Sequence, residues 1–183
     1  RQSALSGQQA FYYPDSWPRD VVVHPESRFQ FERVWRPAPG RHYLFGFVGR
    51  PTSCIRRHLL RCWAAPRAPR DVYVSERHHA GAEYSAVLQQ SRFCLVPDGD
   101  IHWTHRFLDV LAHGCVPVVV SVSWHPPFHR LLRWTDPGFP VVFVHPSRIS
   151  EARATLSEID AGTWARMQAL TLPLAGMLDP HHD

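Results

Sequence analysis

Residues Ser91 to Phe128 read SRFCLVPDGDIHWTHRFLDVLAHGCVPVVVSVSWHPPF. Arg92 to Pro97 is an apolar run of strand length, and Asp98-Gly99-Asp100 after it has turn chemistry. From Trp103 to His113 the apolar residues recur at Phe107, Leu108, Leu111 and Ala112, a helical spacing, and Gly114 takes the place just past a helix end. Cys115 to Ser121 is then a continuous β-branched run, of the kind buried on both faces of a parallel sheet. Strand, turn, helix and strand within about thirty residues make a βαβ unit.

The flanks repeat this alternation. Arg41 to Gly49 is an aromatic and apolar run ending in glycine, read as a buried strand. Cys54 to Trp63 places Ile55, Leu59 and Leu60 among arginines, which predicts an amphipathic helix ended by Pro66 and Pro69. Val72 to Val74 reads as a strand, and Ala82 to Gln90 as a helix with Tyr84, Val87 and Leu88 on one side. Downstream, a loop and short helix are expected around Trp134 and a strand over Pro140 to Val144. One or two closing helices between Ile149 and Leu174 would turn Leu156, Ile159, Met167 and Leu170 inward. The expected fold is a Rossmann-like three-layer α/β domain with a mostly parallel sheet over residues 40–183. Residues 1–39 are read as a lead-in and edge, with a β-like run at Asp20 to Val23.

Composition bounds the partners. The chain has 183 residues, 44% hydrophobic and 20% charged, enough for one domain with its own core. The net charge of +4 rests on arginine alone, since lysine and asparagine are both absent. A GC-rich coding bias accounts for that pattern better than selection for phosphate backbones. The arginines are scattered and no aromatic-basic sheet accompanies them, so nucleic acid is not expected as a partner. No apolar run reaches the roughly 20 residues of a membrane helix. The opening residues lack a start methionine and a signal core, which reads as a piece of a longer chain. Of the four cysteines, Cys94 and Cys115 sit in apolar surroundings and read as small buried hydrophobes; a disulfide between any two stays open.

Ligands of such sheets bind beyond the carboxyl ends of the strands. The loop after Val96 is therefore the candidate anion site. Gly99 would admit close backbone approach, Thr104 would cap or donate, and Arg106 would meet a diphosphate. Asp109, three residues further on, would accept from ribose hydroxyls. On pattern alone Arg106 and Asp109 read slightly better as an ordinary surface i, i+3 ion pair.

The segment quoted first resembles the core of the exostosin family of glycosyltransferases. That family carries a Ser-Lys/Arg-Phe-Cys-Leu strand, a Pro-x-Gly loop, Ser/Thr-x-Arg with a following acid, and Gly/Ala-Cys-Ile/Val-Pro-Val. RHYLFGFVGR with IRRHLL, RWTDPGFPVVFV onward to WARMQ, and Asp20 to Pro25 extend the resemblance over nearly the whole chain. It implies the C-terminal, donor-binding lobe of a two-lobed GT-B enzyme, with the N-terminal acceptor lobe outside this chain. The implied reaction is inverting transfer from a UDP-sugar to a glycan or glycoprotein acceptor, with no metal cofactor. Arg106 would hold diphosphate and Asp109 ribose or sugar, with Gly99 and Thr104 shaping the loop and Gly49 and Arg50 facing the same cleft. Arg56 and Arg57 are second-rank phosphate candidates, read as solvated. The catalytic base would lie in the other lobe. A lumenal Golgi location and pairing with another glycosyltransferase subunit are further implications.

Two departures bear on activity. Val122 stands where the family often has an acid, and Asp109 where it has glutamate. The first favours a competing reading, a nucleotide-sugar-binding module without activity of its own. Other signals weigh less. Asp98-Gly99-Asp100 looks like a DxD metal motif but reads better as a turn, and His102 and His105 read as solvated histidines. Trp103 and Trp124 could stack on a base or sugar, or belong to the core.

Overall fold

A computed structural model describes residues 40–178, apart from 65, 67, 77–81, 100–104 and 125–131. The lead-in with its β-like run at Asp20 to Val23 lies outside the described residues. Five strands alternate with helices: β1 (Tyr43–Val48), α1 (Cys54–Trp63), β2 (Val72–Ser75), α2 (Ala82–Gln90), β3 (Ser91–Pro97), α3 (Arg106–Ala112), β4 (Val116–Val120) and β5 (Val142–Val144). A 3-10 helix (Pro146–Glu151), α4 (Ala152–Ser157) and α5 (Ala161–Leu178) close the domain. The strands form one parallel sheet in the order β2-β1-β3-β4-β5.

The side-chain period of two sorts the sheet residues onto two cores. Phe93 and Leu95 of β3 face one core with Val116, Val118 and Val120 of β4, under α1 and α4. Cys94, Val96 and Val119 face the other, under α2, α3 and α5. Every residue of β4 is buried, as its unbroken β-branched run predicts. This is the expected three-layer arrangement.

The helices start and stop where their chemistry allows. Ser53 caps α1, its side chain accepting the Arg56 N–H at 3.2 Å. Beyond α3, the Gly114 and Cys115 N–H groups return to Leu111 O (2.9 Å) and Val110 O (3.1 Å). With Gly114 at φ 64° this is a Schellman ending, the role its sequence position predicts. Asp160 caps α5 through the Thr163 N–H and hydroxyl, at 2.9 and 2.7 Å, and those bonds hold its carboxyl below the usual carboxylate range.

Two expectations change. Cys94 and Cys115 are not two separate small hydrophobes: they form a disulfide across the βαβ unit, closing a loop with a sequence separation of 21. Parallel pairing sets Cys94 opposite Pro117, which brings the residue before β4 within reach. Leu170 is 46% exposed, because α5 turns Met167, Thr171, Leu174, Ala175 and Leu178 inward and leaves Leu170 on the flank of that stripe. The described part of the segment around Trp134 is a run of turns, with Gly138 at φ 86°, and the rest of the stretch read as a loop and short helix, residues 125–131, lies outside the described residues.

Two measurements check this packing. Alkylation of the unfolded, unreduced chain should label two cysteines, Cys54 and Cys62, and all four after reduction; replacing Cys94 and Cys115 together by alanine should cost about 2–4 kcal/mol in urea unfolding. Gly46→Ala should also destabilise, by about 1–3 kcal/mol. A Cβ at Gly46 would run into the Ser91 hydroxyl and come within 2.9 Å of the Val87 side chain, both held by the α2–β3 junction.

Candidate functional site: the crevice between the first and third strands

The order in which the chain adds parallel strands reverses between β1 and β3, so the loops leaving these neighbours depart to opposite sides and leave a crevice at their carboxyl ends. One wall is the Gly49–Ser53 loop. Gly49 is buried, its N–H donating to Ser75 O at 3.0 Å at the end of β2, and Arg50 beside it is exposed. The other wall begins at Asp98, which is buried, and Gly99, which is half-buried. The Asp98 N–H donates to Val120 O at 3.2 Å, and its carbonyl accepts the Ser53 hydroxyl at 2.9 Å. The two walls are thus joined by a hydrogen bond.

Below them lies a buried polar cluster. Arg106 opens α3 and is 3% exposed. Its Nη2 donates to Val48 O at 2.7 Å, and its guanidinium carbon lies 4.7 Å from the Phe47 ring centroid and 5.4 Å from that of Tyr84. Asp109, 5% exposed, accepts the Tyr84 hydroxyl at 3.3 Å. The surface ion-pair reading of Arg106 and Asp109 is therefore wrong: both side chains point into the domain. A buried guanidinium needs oxygen and π-face partners, and β1 and α2 supply them.

The sequence candidates separate accordingly. Gly49 follows Val48, whose carbonyl holds Arg106, and Tyr84 links Arg106 to Asp109, whereas Gly99 is tied to the facing wall only through its neighbour Asp98, whose carbonyl accepts from Ser53. Thr104 lies outside the described residues, as do Asp100, His102 and Trp103; the residue at the start of α3 is His105, which makes no side-chain cap. Arg56 is not solvated. It is 8% exposed, its Nη1 donating to Thr52 Oγ1 at 3.1 Å, because its apolar stem can lie along the domain while the head folds back to the cap. Arg57 is exposed, bonded to Pro51 O at 3.3 Å. Trp124 is core: 2% exposed, 5.1 Å from Phe107, 5.5 Å from Trp134 and 5.6 Å from Phe143 by ring centroids. No group of three His, Cys, Asp or Glu side chains among the described residues is arranged to hold a metal. Two contributors escaped the sequence reading. Ser53 immediately precedes an amphipathic run, an N-cap signal, and Tyr84 is an inward-facing phenol whose hydroxyl requires a partner.

With this geometry, the chain matches the family described as Exostosin GT47 domain over residues 3–159. It belongs to that family. A probable glycosyltransferase of Arabidopsis thaliana is 30% identical over 155 residues, covering 82% of this chain and 29% of that protein. An exostosin-1 homolog of Caenorhabditis elegans is 46% identical over 90 residues, 49% of this chain and 22% of that protein. A probable glucuronoxylan glucuronosyltransferase of Arabidopsis thaliana is 34% identical over 81 residues, 44% and 18% respectively. The chain spans less than a third of the length of these relatives.

The cluster also reports on pH. His113 Nδ1 lies 2.6 Å from Asp109 O at the end of α3, the neutral ring donating its proton there. Burial lowers the His113 pKa, opposed by the Asp109 carbonyl and assisted by the nearby Arg41 charge. Between that lowered value and the unfolded value of about 6.5, the unfolded chain holds a proton that the folded chain does not, so stability rises with pH through that interval and is lost as the pH is lowered. The urea midpoint should drop between about pH 7.5 and about pH 5, and His113→Gln should drop less over the same interval. Equal drops would remove His113 as the source.

Proposed function

We propose that this chain is the donor-binding lobe of a GT-B-type glycosyltransferase, taking a nucleoside-diphosphate sugar, UDP-linked, in the crevice between β1 and β3. The observation that carries the reading is the strand order itself. The order turns back between β1 and β3, and Gly49, Arg50, Gly99 and the Arg106–Asp109 pair lie on the segments that leave those two strands, which supports the reading for a chain of the exostosin family. Gly49 and Gly99 let backbone approach the ligand closely. Arg50, exposed, would close on the diphosphate, and Arg106, fixed beneath, would oppose the negative charge that grows on the leaving group. Asp109 would serve the ribose or sugar. Transfer would invert the anomeric centre, with a carboxylate base from a partner lobe activating a hydroxyl of a glycan or glycoprotein acceptor, and no metal would be required. The buried Cys94–Cys115 disulfide supports an oxidising, lumenal setting of the Golgi type.

A second reading is favoured by one residue. Val122, 57% exposed just past β4, stands where the family resemblance leads one to expect an acid, which suits a nucleotide-sugar-binding module paired with an active subunit.

Calorimetric titration of UDP tests the donor site. The parent chain should bind with or without a chelator. Arg50→Ala should weaken binding about tenfold with the thermal midpoint unchanged, and Arg106→Lys, which keeps the charge but loses the planar fork, should weaken it further. A folded parent that takes up no UDP would remove the donor reading.

A further inference from the structure

Of the four cysteines, Cys94 and Cys115 are bonded to each other, and Cys54 and Cys62 are free thiols on one helix, α1. The free pair cannot close on itself. Eight residues of helix hold the two Cα atoms about 12 Å apart, and a disulfide needs less than about 7 Å. Their surroundings differ as well. Cys54 is exposed in the first turn, whereas Cys62 is half-buried in the last, packed against the core under α1. His58, one turn before Cys62, is also half-buried and lies beside the inward stripe of Arg56, Leu59, Leu60 and Trp63. Side chains on a helix lean towards its N-terminus, so the Cys62 thiol leans back over the turn of His58. Cys62 Sγ lies 3.8 Å from His58 Nε2.

That separation is close to the span of a metal chelate. A tetrahedral zinc ion, bonded to sulfur at about 2.3 Å and to nitrogen at about 2.0 Å, sets those two atoms about 3.5 Å apart. An i, i+4 pair on one helix face is also the spacing by which two helical side chains grip zinc in metalloproteases. The scaffold is held at both ends: Ser53 caps the start of α1, and Trp63 Nε1 at its end donates to Ile149 O at 2.8 Å.

We propose that His58 and Cys62 chelate a soft divalent cation, zinc, on the flank of α1. The site is independent of the donor reading of the crevice. Thiolate with imidazole suits zinc, whereas magnesium and calcium take oxygen ligands. Uptake releases the thiol proton to solvent. No group of three His, Cys, Asp or Glu side chains among the described residues is arranged around a metal, so water completes the coordination. Half the ligands of a closed structural site supply roughly half its binding free energy, which corresponds to a Kd of about 1–200 µM.

Cobalt(II) is the probe. A thiolate bound to cobalt absorbs in the near ultraviolet, a band that the chain's 13 histidines cannot give by themselves. The full chain, with Cys94–Cys115 intact, should take up one thiolate-bound cobalt, displaced by zinc and not by excess magnesium. Cys62→Ser should abolish the band. His58→Ala should weaken binding about tenfold or more through loss of the chelate, and Cys54→Ser should match the parent. Alkylation tests the unsubstituted chain: zinc at ten times its Kd should slow labelling of Cys62 about tenfold and leave Cys54 unchanged. A folded parent with no thiolate band overturns the site, as does a band undiminished in His58→Ala or lost in Cys54→Ser. Labelling of Cys62 that zinc does not slow overturns it as well.

Discussion

A guanidinium cannot be left bare inside a protein, and the charge on Arg106 is the constraint around which one end of the domain is arranged. The side chain belongs to α3, yet its partners include the last carbonyl of β1 and the faces of Phe47 and Tyr84 from β1 and α2. Elements well separated in sequence are therefore tied at one point. A slip of β1 by one residue would turn Phe47 to the other face of the sheet and move the Val48 carbonyl away from the buried charge it holds. Tyr84 extends the tie, lying under the guanidinium and donating to Asp109 one turn along α3. The crevice mouth is built on this buried cluster and inherits its rigidity.

The opposite end of β1 is held by another arginine, half-buried, that uses different chemistry. Arg41 donates to Leu88 O at 2.8 Å, Ser91 O at 2.6 Å and His113 O at 2.9 Å, collecting carbonyls from the end of α2, the start of β3 and the end of α3. Burial pushes its pKa down to about 10, which still leaves it charged at neutral pH. These are carbonyls that helix ends leave without intrahelical partners, so the cation satisfies groups that would otherwise need water. Together the two arginines pin β1, the strand between β2 and β3, at both ends, and the Cys94–Cys115 disulfide fastens β3 to the entry of β4 beside it.

Much of this was legible in the residues. The α1 and α2 boundaries follow from apolar spacing, and β4 from its β-branched run, because those elements are specified by local pattern against one buried face. The closing helices were legible only in part. Leu170 lies three residues from Met167, a spacing that fits an inward stripe, but which edge of the stripe is covered depends on what α5 packs against. The burial of Arg56, Arg106 and Asp109 was not legible because charge alone reads as surface, and only the partners brought by β1 and α2 reverse that expectation. The disulfide needed the parallel register of β3 and β4, which two cysteines in apolar runs do not reveal.

The buried position of Arg106 divides the labour within the proposed donor crevice. Its Nη2 is committed to Val48 and its plane is confined by two rings, so it cannot swing out to follow a ligand without leaving that carbonyl behind. On a bound diphosphate it would act as a fixed charge in a medium where charges interact more strongly than in water. Arg50 is the reverse: exposed, long and able to move to the ligand. Between them stand Gly49 and Gly99, whose peptide groups are held by Ser75 and, through Asp98, by Ser53 and Val120. An anion entering here would meet a fixed charge below and an adaptable cation at the rim. Only the last of these has to be ordered on binding, so the entropy of ordering falls on a single side chain instead of on two loops.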